Sequence, residues 1–298
     1  MHISNAISPT ASLEYLDRIH FPVPTDLNSL GSSLQTLQAL HMAHLLAVPF
    51  ENLSIHYEQP IMLQEDALFN KIVRRRRGGF CYELNGLFAW LLGQLGFNVT
   101  LLSAEVANDA GAFSPPFDHL TLLVRRVDGA DWLADVGFGD SFLLPIRFEV
   151  EVVQVDADGR NYRLLKEEAE DEADTKREYW ILQQLSGEQW KSQYRFTLEP
   201  HLLTDFTERC HYQQHSPESH FAQRRVCTLA TSTGRITLSA RGLRFNDTRS
   251  QSVLHGQTGQ EEGNLHLITT VHGHKQVRLL HSEDEYQKVL AEMFGVVL

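Results

Sequence analysis

A cysteine that lies one residue beyond a pair of glycines is the side chain of this sequence best suited to act as a nucleophile. Cys81 lies in residues 77–85, RGGFCYELN, where an apolar pattern with helical spacing begins. The N-terminus of a helix has unpaired N–H groups and the positive end of the helix dipole, which favour a thiolate and lower the pKa of a thiol. Taken alone, a free cysteine is more often a small buried apolar residue, so the assignment depends on its partners.

A histidine and an aspartate downstream are candidate partners for this thiol. His119 opens the apolar run 119–124, and Asp135 interrupts the run 132–136 just before a glycine-rich turn. Two successive strands joined by the turn at 128–129 bring such residues side by side. His119 then takes the thiol proton, and Asp135 holds the imidazole in the required tautomer. Pairing with His119 also removes the cost of burying Asp135 alone.

Spacing alone leaves other interpretations of these residues open. With 15 histidines in the chain, one near a strand is expected by chance. Asp118 is an equally local acid, although adjacent residues of an extended segment point to opposite faces, which makes it the weaker partner for His119.

With these residues the chain resembles the arylamine N-acetyltransferase family. The cysteine segment is the most specific part of the resemblance, and little is similar beyond about residue 225. The matching segments follow the order of the family and span most of the chain: residues 15–19, 48–53, 77–85, 119, 135–139 and 216–221.

The resemblance implies an enzyme that moves an acetyl group from acetyl-coenzyme A to an aromatic amine or hydrazine through an acetyl-cysteine. It implies Cys81 as nucleophile, His119 as base and Asp135 as the residue that orients it, with no metal. It further implies the residues around the substrates: Phe138 and Val106 in the amine pocket, and Gly139 and Phe221 beside the coenzyme.

The chemistry of such a transfer fits these residue types. Exchange of one thioester for another is close to thermoneutral, so coenzyme A leaves before the amine attacks, and two half-reactions predict ping-pong kinetics. The Cys81 N–H at the helix start is a donor for the oxyanion of the tetrahedral intermediates. Water must be kept from the acetyl-enzyme, which suggests an apolar pocket.

Hydrophobic periodicity predicts an α+β fold in three parts. Residues 1–96 are mainly helical and predict a bundle that carries Cys81, with the stripes 34–45 and 84–95 as its clearest helices. Residues 97–210 predict an antiparallel β-barrel that carries His119 and Asp135. Residues 211–298 are mixed. The family resemblance implies the same order of helical bundle, β-barrel and α/β lid, around a Cys-His-Asp core like that of cysteine proteases.

Individual elements are predicted from the same patterns. A capping box at residues 282–285 opens a final helix with Tyr286, Val289, Leu290, Met293 and Phe294 on one face. The acidic stretch 166–177 predicts an exposed hairpin tip or insertion, and 255–264 a loop. The predicted strands are 99–106, 119–127, 132–136, 142–155, 178–185, 189–196, 226–229 and 235–238.

Composition limits the function classes. A formal net charge of −12 argues against a nucleic-acid binder and leaves only local sites for an anionic coenzyme. The run Arg74–Arg77 is such a cluster, although cations at a helix end are usually solvated; Arg224–Arg225 is an alternative. No signal peptide or membrane-spanning run is found, and three widely spaced cysteines fit a reducing cytoplasm. Cys210 and Cys227 have no assigned role.

Two histidines lie close together on the first predicted helical stripe. His41 and His44 lie on one helical stripe without nearby acidic or thiol ligands, so we expect packed core residues and no metal site.

Three other functions are alternatives to acetyl transfer. A papain-like or transglutaminase-like hydrolase uses a similar cysteine and histidine, and an amide synthase of natural-product assembly is a related possibility. A non-enzymatic module with an aromatic-lined cleft is the alternative from another class.

Overall fold

The computed structural model describes residues 10–23, 27–170, 176–241 and 265–298. Helices are concentrated before residue 95 and return near the C-terminus. They are α1 (Ala11–Arg18), α2 (Leu34–Ala47), α3 (Leu53–His56), α4 (Glu65–Phe69), α5 (Cys81–Gln94), α6 (Thr207–His215), α7 (His220–Gln223) and α8 (Glu283–Phe294), with a π-helical turn at Asn70–Arg74 and 3-10 turns at Leu27–Leu30 and Leu203–Phe206. None of the helices described is long and apolar enough to cross a membrane.

The two helices predicted from apolar stripes are both confirmed. Ser33 begins α2, and its hydroxyl accepts a hydrogen bond from the Thr36 N–H at 3.2 Å, which satisfies one of the unpaired donors of the helix end. Helix α5 begins at Cys81, directly after the extended residue Phe80, and is almost entirely buried. An apolar helix of this kind is stable only as a core element.

Two antiparallel sheets accompany the helices within the described residues. The strands are β1 (Phe50–Glu51), β2 (Asn98–Val106), β3 (His119–Val127), β4 (Ala130–Ala134), β5 (Ile146–Arg147), β6 (Gln154–Val155), β7 (Asn161–Glu170), β8 (Lys176–Ser186), β9 (Gln189–Phe196), β10 (Arg224–Thr231), β11 (Gly234–Arg241), β12 (Leu265–Val271) and β13 (His274–Leu280). The first sheet has the order β5-β4-β3-β2-β9-β8-β7-β6 and the second the order β1-β10-β11-β12-β13.

The first sheet is the predicted β-barrel, and a side chain joins its two edges. The Gln154 amide of β6 accepts from the Arg147 N–H of β5 at 2.7 Å and donates to the Arg147 carbonyl at 2.8 Å. β5 and β6 are the two edge strands of this sheet, and these two bonds take the place of strand hydrogen bonds between them. The α+β class with a helical region, a barrel-like sheet and a mixed C-terminal part is confirmed.

Strand β4 ends two residues earlier than the predicted strand 132–136. The N–H groups of Asp135 and Val136 do not continue the ladder, because they donate to side chains instead: to His41 Nε2 at 3.1 Å and to Asn85 Oδ1 at 2.8 Å. The chain therefore leaves the sheet at Asp135, whose side chain contacts His119 and Asn85.

The prediction of one strand over 142–155 is wrong. Only the two-residue strands β5 and β6 form there, because the N–H groups of Leu143 and Leu144 are taken by the Asp156 carboxylate at 2.7 and 2.9 Å. Strand β7 was missed because much of it is acidic. The acidic stretch is confirmed as a hairpin, since Glu170 pairs with Lys176; residues 171–175 lie outside the described part.

The second sheet combines the C-terminal part of the chain with one strand from the helical region. Phe50 of β1 pairs with Thr228 of β10, so the sheet begins on a segment close to Cys81 in sequence. Strands β10 and β11 extend the predicted strands 226–229 and 235–238, whereas β12 and β13 were not predicted. The predicted loop 255–264 lies outside the described residues.

The final helix begins at the predicted capping box. Ser282 accepts from the Glu285 N–H at 3.1 Å, and the helix ends at Gly295 with a φ of 66°, a conformation that favours glycine. Four of the five residues predicted on its apolar face are buried, and the fifth, Met293 in the last turn, is 38% exposed.

The apolar core forms three clusters, around α5, within the C-terminal sheet and within the barrel. The division into 1–96, 97–210 and 211–298 stays a prediction, and α6 spans its second boundary.

One arginine of the run 74–77 is buried, contrary to the solvated cluster that we expected. Arg77 is 1% exposed and Glu51 is not exposed at all; Arg77 donates to Glu51 Oε1 from Nη2 at 2.9 Å and from Nε at 3.1 Å. Burial alone would raise the pKa of Glu51, but Lys71 and Arg77 outweigh it and hold that pKa below its usual value. Arg74, by contrast, pairs with Glu14 and has a side chain that is 52% exposed.

Replacing Arg77 with Met should lower the free energy of unfolding by about 3–5 kcal/mol, because it leaves the Glu51 carboxylate buried without its main partner. Chemical denaturation measures the loss. Arg74→Met is the matched control and should change stability by about 1 kcal/mol or less. Equal effects of the two substitutions would show that the buried pair contributes no more than the exposed one.

Candidate active site

Close backbone packing sets the position of Cys81 at the start of α5. A Cβ on Gly78 would lie 2.0 Å from the Pro49 carbonyl oxygen, so only glycine allows this approach. The Glu51 N–H donates to the Gly79 carbonyl at 2.8 Å. Both glycines therefore pack against the segment that precedes α3. Cys81 is 3% exposed.

His119 and Asp135 form a buried hydrogen-bonded pair beside this helix. Strands β3 and β4 are antiparallel neighbours, so the start of the first and the end of the second lie together. His119 Nε2 and Asp135 Oδ2 are 2.7 Å apart, and the residues are 2% and 1% exposed. Because Asp135 occupies Nε2, Nδ1 is the ring nitrogen left to accept a proton from a nucleophile.

Asn85 fastens this pair to α5. Its Nδ2 donates to Asp135 Oδ1 at 2.8 Å and to the Leu120 carbonyl at 2.6 Å. Asn85 follows Cys81 by four residues in α5, so both side chains project from the same face of the helix. One helix face therefore carries both the thiol and the residue that holds the acid.

Two further groups hold Asp135. The Gly137 N–H donates to Asp135 Oδ1 at 3.0 Å, and the Asp135 N–H donates to His41 Nε2 as described above. His41 Nδ1 in turn donates to the Leu143 carbonyl at 2.8 Å. The two bonds define a neutral histidine, and burial agrees, since it lowers the pKa of His41 to about 4.

The charge state of Asp135 follows from its partners. Burial on its own would raise its pKa, but the His119 imidazole and the donors Asn85 and Gly137 outweigh burial and hold the pKa of Asp135 below its usual value. The acid is thus a carboxylate at neutral pH, as an orienting residue must be.

The expectation of a lowered thiol pKa at the helix start is wrong for this structure. Burial raises the pKa of Cys81 well above its usual value; a backbone hydrogen bond from Leu120 opposes the rise, and the charges of Asp118 and Asp135 add to it. Desolvation therefore exceeds the favourable effect of the helix dipole. A proton acceptor is needed to form the thiolate, and the imidazole of His119 is the available one.

Aromatic rings surround His119 on the barrel side. Phe138 lies 5.2 Å from the His119 ring between centroids, and Tyr194 lies 5.1 Å from His119 and 5.2 Å from Phe138. Val106 is the strand partner of Tyr194. The two residues predicted for an amine pocket, Phe138 and Val106, are thus both near the same tyrosine, and both are half-buried.

The two residues predicted beside a coenzyme also lie on one side of the site. Gly139 has a φ of 92°, and a Cβ built on it would lie 3.5 Å from the Phe50 ring. The Phe221 ring is 6.1 Å from Phe50 and 5.5 Å from Phe80, the residue before Cys81. These residues form an aromatic wall beside the nucleophile.

The remaining candidates have other partners. Asp118 does not contact His119 through its side chain; it accepts from Arg209 and Gln213, as expected for a residue on the opposite face. Arg225, one of the candidates for phosphate contact, pairs with Glu283 at 2.7 Å. Cys210 and Cys227 are buried free thiols. Within the described ranges no cluster of metal-ligating side chains is found.

Sequence reasoning missed the residues that support the pair. His41 and Asn85 were treated as parts of apolar helical stripes, and Tyr194 as a strand residue. His41 and Asn85 are polar residues within otherwise apolar helices. This is the signal that could have found them, because a buried polar side chain needs a hydrogen-bond partner.

Comparisons with known proteins agree with this geometry. A model of the N-acetyltransferase family matches residues 33–298. The arylamine N-acetyltransferase / N-hydroxyarylamine O-acetyltransferase of Salmonella typhimurium is 37% identical over 230 residues, which cover 76% of this chain and 75% of that protein. The Escherichia coli arylamine N-acetyltransferase is 37% identical over 209 residues, 70% of each chain.

Solved structures give the same result. The arylamine N-acetyltransferase of Salmonella typhimurium superposes with a TM-score of 0.78 at 28% identity over 97% of this chain and 92% of that one. The enzyme of M. tuberculosis gives 0.75 at 28% identity over 95% and 93%. The chain belongs to the arylamine N-acetyltransferase family.

Substituting Gly137 tests how tightly the site is packed. A Cβ there would lie 2.8 Å from both the Cys81 Cα and Asn85 Nδ2, so Gly137→Ala should destabilise the protein by about 1–3 kcal/mol and slow alkylation of Cys81. Denaturation and iodoacetamide labelling measure the two effects.

Gly93→Ala is the control for this substitution. Gly93 lies in the last turn of α5, and a Cβ built on it would have no neighbour within 4 Å. Because alanine favours helix by about 1 kcal/mol over glycine, the control should be neutral or stabilising. A Gly137→Ala protein that matches the control in both measurements would contradict the packing described here.

Proposed function

We propose that the protein transfers an acetyl group from acetyl-coenzyme A to the nitrogen of aromatic amines or hydrazines through an acetylated Cys81. The observation that carries the proposal is the buried pair of His119 and Asp135, which Asn85 joins to the same helix face as the thiol. Membership of the family and the names of the relatives support the reaction class.

The first half-reaction forms the acetyl-enzyme. His119 Nδ1 takes the thiol proton, and the Cys81 sulfur attacks the thioester carbonyl carbon. The carbonyl π electrons move onto oxygen, and the Cys81 N–H at the helix start donates to that oxyanion, because the first N–H groups of a helix have no acceptor within it. When the oxyanion collapses, the C–S bond to coenzyme A breaks and the imidazolium returns its proton to the leaving thiolate.

In the second half-reaction acetyl-Cys81 is the acetyl donor and the amine is the nucleophile. The amine nitrogen attacks the acetyl carbon of acetyl-Cys81, and His119 removes a proton from that nitrogen as the bond forms. The tetrahedral intermediate releases the Cys81 sulfur, which regains its proton from the imidazolium. Asp135 supports both steps because its negative charge stabilises the imidazolium each time it forms.

The surroundings of the triad support a division into two substrate regions. Phe138 and Tyr194 offer aromatic faces next to the base, suited to a flat amine, and Val106 extends this apolar surface. Gly139 leaves space beside Phe50 and Phe221, where the pantetheine arm would reach the sulfur. The apolar rings on both sides limit access of water to the acetyl-enzyme.

We also propose the cytoplasm as the compartment of this enzyme. All three cysteines are free thiols, which is typical of a reducing environment. A nucleophilic thiol of this kind remains active only where oxidants are scarce.

Intact mass measurement after incubation with acetyl-coenzyme A tests the proposal. The protein should gain one acetyl group and lose it when p-anisidine or isoniazid is added, whereas Cys81→Ser should gain none. Cys210→Ser and Cys227→Ser are the matched controls and should label like the parent. No labelling, with cleavage of a peptide or amide instead, would favour a hydrolase. A protein whose measurable activities are all unchanged when Cys81 is alkylated would favour a binding module.

Asp135→Asn should slow acetylation by about 10³–10⁴-fold and make Cys81 harder to alkylate near neutral pH. The amide cannot stabilise an imidazolium, and as a donor to Nε2 it favours the tautomer whose Nδ1 is already protonated. Stopped-flow acetylation and iodoacetamide labelling measure both effects. Asp131→Asn, at the partly exposed pair with Arg125, is the control. Unchanged labelling of the Asp135→Asn protein would argue against the triad.

A further inference from the structure

A second carboxylate lies next to the candidate base and carries a charge that the proposed reaction does not need. Asp118 directly precedes His119, and its side chain is only 16% exposed. The Tyr82 hydroxyl, one residue after Cys81, donates to the Phe117 carbonyl at 2.8 Å and to the Asp118 carbonyl at 3.2 Å. The start of α5 and the segment that carries Asp118 are therefore fastened together.

The charge of this carboxylate acts against the thiolate. Asp118 raises the pKa of Cys81, as Asp135 does, because a nearby negative charge disfavours a second one. Asp135 offsets this cost by stabilising the imidazolium, but Asp118 has no contact with the imidazole. An uncompensated Asp118 would therefore hold the proton on the Cys81 thiol.

Helix α6 supplies the compensating charge. Arg209 contacts Asp118 Oδ1 from Nη2 at 2.6 Å and from Nε at 2.8 Å, and its side chain is 21% exposed. The pair is partly shielded from water, where a charge is screened less than on the open surface. Arg209 itself touches neither Cys81 nor His119 in the contacts described.

We propose that Arg209 is a positioning residue that neutralises Asp118 and thereby permits the Cys81 thiolate to form at neutral pH. The inference rests on the proposed function of Cys81 and extends it to α6. The titratable groups around the thiol and this carboxylate come from α5, β3, the end of β4 and α6: Tyr82, Asp118, His119, Asp135, Arg209 and Cys210.

Neighbouring contacts keep Asp118 in place when Arg209 is replaced. Gln213 Nε2 donates to the same Asp118 oxygen at 2.6 Å, and the Ser219 hydroxyl holds the other end of the Gln213 amide at 2.5 Å. The Arg209 side chain also covers the Tyr212 ring at 4.3 Å, and methionine retains much of that apolar contact. Arg209→Met thus removes the charge with little other change.

The test is the pH dependence of iodoacetamide alkylation at Cys81 in three variants. Arg209→Met should shift the profile upward by roughly half to one pH unit, because the uncompensated negative charge of Asp118 raises the proton affinity of the thiol. Asp118→Asn should shift it downward, since Arg209 is then unpaired. The double variant, which removes both charges, should return close to the parent profile.

Arg125→Met is the matched control. Arg125 pairs with Asp131 at 3.3 Å at the far end of β3, so its loss should leave the profile unchanged. Arg209→Lys keeps the charge and should rescue most of the shift. Circular dichroism checks that each protein is folded, and if Arg209→Met is not, the downward shift of Asp118→Asn tests the same charge from the other side.

The outcomes separate this inference from the proposed function. Opposite shifts in the single variants, restored in the double variant, support charge compensation. Shifts in the same direction, or no shift in either, would overturn it and leave α6 a merely structural support. If Cys81 of the parent protein still gains an acetyl group in that case, the proposed function stands; failure of acetylation in the parent protein rejects the function itself.

Discussion

The arrangement depends on keeping a charged aspartate inside the protein. Asp135 is 1% exposed, and a buried carboxylate is unfavourable unless its oxygens find donors. The donors come from three directions: His119 on β3, Asn85 on α5 and the Gly137 N–H after β4. The helical region and the barrel therefore have to meet at this point, and the meeting brings the thiol to the base. The contacts that stabilise the Asp135 carboxylate are therefore the same contacts that bring the helix of Cys81 next to His119.

The principal side chains were predictable because local patterns mark them. Cys81 follows two glycines where an apolar helix begins, and an acid inside an apolar strand, such as Asp135, requires a nearby partner. The antiparallel pairing of β3 and β4 then places that partner at His119. Periodicity likewise predicted α2, α5 and the strands β2, β3, β8 and β9, and the residue types at 282–285 predicted the capping box at Ser282.

Partners distant in sequence were not predictable in this way. His41 and the Asp135 N–H are 94 residues apart along the chain, and no local pattern connects them. The same holds for Arg209, which meets Asp118 only because α6 packs against the start of β3. Strand β7 was missed for a different reason: its second half is acidic and carries no apolar alternation, although pairing with β6 and β8 holds the strand in the sheet. The thiol pKa was misjudged because burial is a tertiary property.

The pairing of Phe50 with Thr228 has a consequence for biosynthesis. Phe50 leaves the ribosome well before its strand partner, and the Phe221 ring that packs against it is also made late. A nascent chain that has reached only the barrel already contains the thiol, the imidazole and the acid, but lacks one wall around them. Long-range pairings of this kind form slowly. The aromatic wall beside Cys81 can therefore form only after the chain has been made as far as Thr228.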